Sequence, residues 1–379
     1  MRILDLYASL LCAGNPNSYP FMPASVKLLS RYISEANARR IRVKLYYTVR
    51  ELSSSAAEVW ALRMLGDEVL KDSGDNGGPA WLREHLRYNY NRAWACPLSH
   101  NEYDGALTNN RLGGRWLNFY IEGLKKIVAE TPFANGIYYD GIGFDRTTMM
   151  RVRKVLLRYS PHKSGALSPH IDFHSGNNYE YADRQLSAAV MYMTQFAYID
   201  SLWIGEGFSS DSRPEHWLVE MSGLPFGLFS DLLLRGEQQW HRGMLFGSAG
   251  RPGVVDPSAM WRYWDDFGIE KTDMIGWWEP EVPVKTNHRD VYATVYAKRA
   301  DRALIALASW AKGHVNVRLT FDWRVLGFRH ADVKLVARTI KKVQTGGQEW
   351  ETTAEIPVPG AAGGAAGVLL EVTKREAGG

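Results

Sequence analysis

Cysteine is scarce in this chain: two residues in 379, Cys12 and Cys96. They form neither a disulfide framework nor a metal-ligand spacing. No apolar run reaches the ~18 residues of a membrane-crossing helix, so membrane insertion is not expected. Net charge is +4, but the basic residues are dispersed. Without a Lys/Arg cluster or an RNA-reading motif, nucleic acid is not an expected partner. No repeat of solenoid period occurs. The chain does hold 35 Gly, 14 Trp and 19 Tyr. Aromatics in such number serve a core, and they also suit a site where flat rings stack on the C–H faces of sugars.

The opening MRILDLYASLLCAG has the outline of a signal or lipoprotein segment. Asp5 interrupts its apolar part, and Leu11 before Cys12 is too large for lipoprotein processing. It reads instead as a strand of the fold.

Strand-like and helix-like runs then alternate. RILDLY (2–7) is strand-like, and SVKLLSRYISEANARR (25–40) is helical with Val26, Leu29 and Ile33 on one face. VKLYYTVREL (43–52) reads as one buried strand, followed by a polar insert over about 53–112. A helix over 115–130 precedes the strand GIYYDGI, and a helix over 147–159 follows it. HIDFHS (170–175), SLWIGEGF (201–208), GMLFGS (243–248) and MIGWWE (274–279) are further strands, with AAVMYMTQFAYI (188–199) and MWRYWDDFGI as helices. Seven strands with crossover helices mean a parallel sheet. Polar residues at strand C-terminal ends favour an α/β fold of the (β/α)8 TIM-barrel type, lacking its first strand. The expectation is an N-terminally incomplete copy of a longer protein, secreted or periplasmic when whole. After about residue 283 the runs VYATVYAK, RALIALASWA, VNVRLTFDW, DVKLVARTI and VLLEVTK alternate apolar and polar without helices. The expected division is a barrel over 1–282 and a C-terminal antiparallel β-sandwich over 283–379.

Barrel active sites sit at the C-terminal ends of the strands. Those ends supply Tyr47, Arg50 and Glu51; Asp140 with Asp145 and Arg146; Asp172, His174 and Asn177; Trp203 and Glu206; Glu220; and Trp277 with Trp278. Carboxylates, an amide, a guanidinium, an imidazole and flat rings are what sugar hydroxyls and sugar faces ask for. Plainer roles stand beside these: Asp145 as a helix cap, Arg50–Glu51 as an internal ion pair, His174 in a core, Trp277 and Trp278 divided between core and cleft. Glycoside hydrolysis needs two carboxyl groups flanking the scissile bond. Asp140 follows YY and precedes glycines that let a substrate approach the backbone. Glu206 stands between two glycines behind SLWI, where partial burial would suit a general acid. The expected pair is Asp140 as nucleophile or base and Glu206 as acid. No cofactor and no metal are expected.

The stretches VKLYYTVREL, SRYIS, GGPAWLREHL, RWLNFYIEGL, GIYYDGIGFDR, RVRKVL, IDFHSGNN, SLWIGEGF, WLVEMSGLPFG and MIGWW resemble a group of large bacterial proteins of glycoside hydrolase type, near family 123. The resemblance covers nearly all of residues 1–325 and implies a barrel, a following sandwich and a carbohydrate substrate. One departure matters. Family 123 enzymes resemble substrate-assisted hexosaminidases with an adjacent Asp–Glu pair at a strand end. Here Gly141 follows Asp140, and the Asp–Glu pair Asp67–Glu68 lies in the insert. Substrate assistance and N-acetylhexosamine specificity are therefore not carried over. Two alternatives stand beside hydrolysis by a carboxylate pair. One is a glycan-binding protein without catalysis. The other is a metal-dependent hydrolase built on Asp172, His174 and Asp140, which the shortage of strand-end histidines disfavours.

Overall fold

The computed structural model of the chain describes residues 2–5, 23–39, 41–49, 51–74, 78–97, 102–108, 114–131, 135–140, 145–161, 168–174, 192–204, 210–233, 238–251, 255–363 and 366–375. The chain divides into two compact units: Met1–Gly176 with Val190–Ser201, and Asn177–Ala189 with Leu202–Gly379. No helix among the described residues is long and apolar enough to cross a membrane.

In the first unit, four parallel strands pair in chain order: β1 (Arg2–Asp5), β2 (Ile41–Tyr46), β6 (Gly136–Tyr139) and β7 (His170–His174). Ser201 begins β8 (Ser201–Ile204). Between β2 and β6 the chain builds a separate antiparallel sheet, in the order β3 (Glu51–Ser53), β5 (Tyr103–Thr108), β4 (Arg92–Pro97). VKLYYTVREL is thus two strands in two sheets. Its apolar run continues through the turn at Val49, whose carbonyl accepts the Trp116 indole N–H, so periodicity does not mark the break.

The helices follow the expected pattern. Gly114–Glu130 buries Trp116, Tyr120, Leu124 and Ile127 at helical spacing. Arg146–Tyr159 starts where the Asp145 carboxylate accepts the Thr148 backbone N–H at 2.7 Å, and it buries Met149, Val152 and Leu156. The helical reading of 188–199 falls partly outside the described residues. Met193–Tyr198 is a short 3-10 turn.

Alternation along β2 sends Val43, Leu45 and Tyr47 to one face and Arg42, Lys44 and Tyr46 to the other. The second face is polar yet buried. Lys44 reaches Asp172 on β7 across the intervening β6, Nζ to Oδ2 at 2.6 Å. Leu45 pairs with Ile137, which puts Gly136 beside Lys44 and leaves the crossing open. Gly136 has a second reason to lack a side chain. Its φ is +150°, and a Cβ there would lie 1.8 Å from the His170 carbonyl oxygen.

The second unit holds two further parallel strands, β9 (Phe229–Leu233) and β10 (Ala249–Arg251), with the helix Gln238–Met244 between them. Among the described residues the barrel-type strands number seven, as expected, but the last two differ. GMLFGS is a helix end and turn: Met244, Leu245 and Phe246 are all buried, and an unbroken apolar run has no strand period. Phe229–Leu233 escapes a pattern reading because Ser230 and Asp231 sit inside it. Both are buried, with Ser230 Oγ 2.5 Å from Ser248 Oγ and Asp231 3.7 Å from Arg251. MIGWWE supplies β11 (Asp273–Ile275), which pairs antiparallel with β13 (Val291–Lys298) and so belongs to the C-terminal domain. The helix Ser258–Phe267 ends at Gly268 in the left-handed region, as its sequence implies.

The C-terminal domain is an antiparallel β-sandwich. Its larger sheet runs β11-β13-β14-β19-β16-β17, adding β14 (Arg302–Ser309), β16 (Val333–Val336), β17 (Glu349–Trp350) and β19 (Gly367–Lys374). The smaller runs β12-β15-β18, from β12 (Val284–Thr286), β15 (Val315–Phe321) and β18 (Glu355–Val358). Val295, Ile305, Leu307, Val317, Leu335, Ile356 and Leu370 share the core between them. The other face of the larger sheet carries the 238–247 segment. Thr294 donates to the Leu245 carbonyl and Arg242 to that of Ser309, so β14 is buried on both faces.

Gly136→Ala tests the crossing at β6. The added methyl forces β6 away from β7, and we expect a loss of about 3 kcal/mol or more in denaturant unfolding. A loss under about 1 kcal/mol would contradict the close packing.

Candidate active site

The ends of β2, β6 and β7 converge on Asp140. Both of its carboxylate oxygens are held. Tyr46 Oη lies 2.7 Å from Oδ2, and His174 Nδ1 lies 2.9 Å from Oδ1. The Thr48 hydroxyl donates to the Asp140 main-chain carbonyl at 3.1 Å, fixing the backbone as well. The contact to the carboxylate puts the imidazole proton on Nδ1. Asp140 keeps 16% of its side-chain surface exposed while His174 keeps 5%, so the carboxylate, not the ring, meets solvent.

The insert joins this cluster. Glu51 opens β3, and its Oε2 lies 2.9 Å from the same Tyr46 hydroxyl. The Trp94 indole N–H donates to that Glu51 oxygen at 2.9 Å. One phenol thus stands between two carboxylates, separated by no more than the sum of two hydrogen bonds. Burial first, then the charges of Glu51 and Asp140, push the Tyr46 pKa far above the usual phenol range. Tyr46 is a donor at any working pH.

Deeper in the first unit lies a second polar array. Arg42 Nη1 is 3.0 Å from His170 Nδ1, and His170 Nε2 is 2.8 Å from Ser201 Oγ. The Ser201 hydroxyl donates to Asp172 Oδ1 at 2.6 Å, and Lys44 holds Asp172 Oδ2. Because Arg42 only donates, Nδ1 of His170 accepts and Nε2 carries the proton. The ring is neutral: burial, and next the Lys44 charge, pull its pKa down to about 4. Lys44 and Asp172 are both fully buried. Such a pair gives little net stability, but removing one partner strands a charge at a cost of about 3–5 kcal/mol.

The structure sorts the expected residues. It brings Asp140 and His174 together. Asp172 is a correction: sealed by Lys44 and Ser201, it does not face a substrate. Tyr47 is another, since alternation turns it away from Asp140. Its ring stacks on Tyr120 at 4.6 Å under the helix Gly114–Glu130, and its hydroxyl donates to the Tyr120 carbonyl. Asp145 caps a helix, and Arg146 lies over the Tyr198 ring at 5.3 Å. Arg50, Asn177 and Glu206 lie outside the described residues. In the second unit, Trp203 is buried with the Arg251 guanidinium 4.7 Å over its ring. Glu220 stands on the helical turn Trp217–Met221 instead of a strand end. Trp277 packs edge-on against Tyr292, and Trp278 stacks on Phe246. Trp277 and Trp278 are both partly buried beside these aromatic neighbours. Among the described residues, no three His, Cys, Asp or Glu side chains gather as metal ligands.

Tyr46 and Trp94 are the residues that sequence reasoning missed. Tyr46 has a signal in hindsight, the strand period that pairs it with Lys44. Trp94 has none, since it lies in a polar insert.

With this geometry in place, the comparisons are specific. Residues 12–253 match the glycoside hydrolase 123 TIM-barrel domain, and residues 256–372 match the glycoside hydrolase 123 C-terminal domain. Among solved structures, a noncanonic maltogenic alpha-amylase AmyB from Thermotoga neapolitana is similar at 10% identity and a TM-score of 0.50. The match covers 90% of this chain and 80% of that one. A cyclomaltodextrinase is similar at 11% identity and a TM-score of 0.51, covering 92% of this chain and 63% of that one. At such identities the likeness is one of fold. No curated protein sequence matches the chain. The class is that of TIM-barrel glycosidases with a C-terminal β-sandwich, enzymes that act on carbohydrate. The chain belongs to glycoside hydrolase family 123.

His170 gives a pH test of the inner array. Its folded pKa near 4 lies below the unfolded value of about 6.5, so the unfolded chain binds the extra proton between them. Stability from this group is present above about pH 6.5 and is lost as pH falls toward 4, by up to about 3 kcal/mol. His170→Gln should be less stable than the native protein at pH 7, with the gap narrowing in denaturant unfolding at pH 4.5. A gap unchanged with pH would contradict a neutral buried ring.

Proposed function

We propose that the enzyme cleaves a glycosidic bond with Asp140 as the reacting carboxylate, serving as nucleophile or base, and Glu206 as the acid. The observation that supports this reading is the state of Asp140. It ends a barrel strand, its two oxygens lie within hydrogen-bond distance of Tyr46 and His174, and part of its side-chain surface is exposed. Two hydrogen bonds fix the direction of a carboxylate that must approach an anomeric carbon or a water molecule. Glu206 follows β8 in the chain, flanked by Gly205 and Gly207. Glu51 is the carboxyl that shares Tyr46 with Asp140. Its side chain is buried and already bound by Tyr46 and Trp94, which suits positioning better than proton delivery to a leaving group.

Hydrolysis of a broad panel of aryl glycosides and polysaccharides tests the reading. Asp140→Asn and Glu206→Gln should each lower kcat by about 10³-fold or more with folding intact. Tyr46→Phe and His174→Gln should each cost about 10–100-fold, as the loss of an orienting hydrogen bond does. Turnover that survives both carboxamide variants would overturn the pair and redirect attention to Glu220 and Glu51.

A further inference from the structure

We propose that the three-stranded insert is the wall of a sugar-binding subsite beside Asp140, with Trp94 as its stacking face. The inference rests on the glycosidase reading above and names the side chain that holds the sugar ring.

Three observations converge on Trp94. The first is its link to the reacting carboxylate. From Asp140, hydrogen-bond contacts run through Tyr46 and Glu51 to the Trp94 indole N–H, so two side chains separate the indole from Asp140. The second is a defect in the sheet. Arg92 pairs with Leu107, yet Ala95 pairs with Gly105, so β4 carries one residue more than β5 in that interval. Such a bulge redirects a side chain and recurs beside active sites. Here it falls on Ala93 and Trp94. The third is the posture of the ring. Its ring stands perpendicular to that of Tyr46, centroids 6.2 Å apart at 87°, and its N–H is pinned by Glu51. The residue is only half-buried, whereas Trp116 of the same unit is fully buried. A pinned, partly exposed indole has already given up the rotamer freedom that binding would otherwise cost. A flat apolar face held beside a carboxylate is the chemistry that recognises the C–H face of a pyranose ring. The strands β3, β4 and β5 are in this view the part of the chain that selects the sugar.

The test separates binding from turnover. Full-length Asp140→Asn protein is applied to an array of neutral oligosaccharides, alone and combined with Trp94→Phe or Trp94→Leu. Both substitutions remove the indole N–H, but only Phe keeps a flat ring. Thermal unfolding checks that each variant is folded. We expect glycans bound by Asp140→Asn to stay within about threefold with Phe and to weaken about tenfold with Leu. Equal binding by the Phe and Leu variants would overturn the proposal, as would the absence of any bound glycan. The two readings fail differently. Trp94-dependent binding without turnover in the native enzyme would sink the hydrolytic reading and keep the subsite. Turnover that needs Asp140 but ignores residue 94 would do the reverse.

Discussion

The hydroxyl of Tyr46 is the point on which the site depends. It is the last residue of β2, and it lies within hydrogen-bond distance of a carboxylate from the barrel and another from the insert. A phenol carries one proton, so it donates to one carboxylate at a time and holds both near it. Bringing Asp140 and Glu51 so close works against their like charges. A buried phenol that stays protonated, with the Trp94 and His174 N–H groups on the far sides, offsets that repulsion. The same contact ties two sheets together. Four residues lie between Tyr46 and Glu51, and in that span the chain leaves the parallel sheet and enters the antiparallel one.

Below this layer, the polar interior explains why the strands hold their places. Arg42, His170, Ser201, Asp172 and Lys44 form one hydrogen-bonded series, in which Asp172 answers the charge of Lys44. Such a series is tolerable in a core because its members satisfy one another. It also ties register to chemistry: sliding β7 by one residue would turn His170, Asp172 and His174 to the opposite face at once. Asp172 and His174 lie two residues apart on that face, yet only the latter reaches Asp140. Depth along the strand separates a structural carboxylate from the candidate catalytic group.

Much of the fold was legible from pattern. Alternating strands and helices announced a barrel of seven strands, and the period-two runs after residue 283 announced the sandwich. The misread strands have two physical causes. Short runs such as GMLFGS are apolar throughout, and burial on all sides erases the period that distinguishes helix from strand. FSDLL failed for the opposite reason, because barrel interiors accept paired polar residues that look like loop. At the site, Asp140 and His174 could be read from strand ends, since one strand fixes each. Glu51 as a neighbour of Asp140, and Trp94 as a neighbour of Glu51, depend on how an insert folds back. No local pattern encodes that. Tyr47 was misplaced by one residue, which on a strand is the difference between cleft and core.

The most direct test of the account is chemical rescue at residue 140. Asp140→Ala protein, shown to be folded, is assayed on an activated aryl glycoside that the native enzyme cleaves, with and without added sodium formate or azide. If Asp140 is the reacting carboxylate, the variant is inactive alone and recovers turnover as the small anion occupies the vacated position. If Asp140→Ala turns the glycoside over at the native rate without any anion, the carboxylate held by Tyr46 and His174 is not the reacting group.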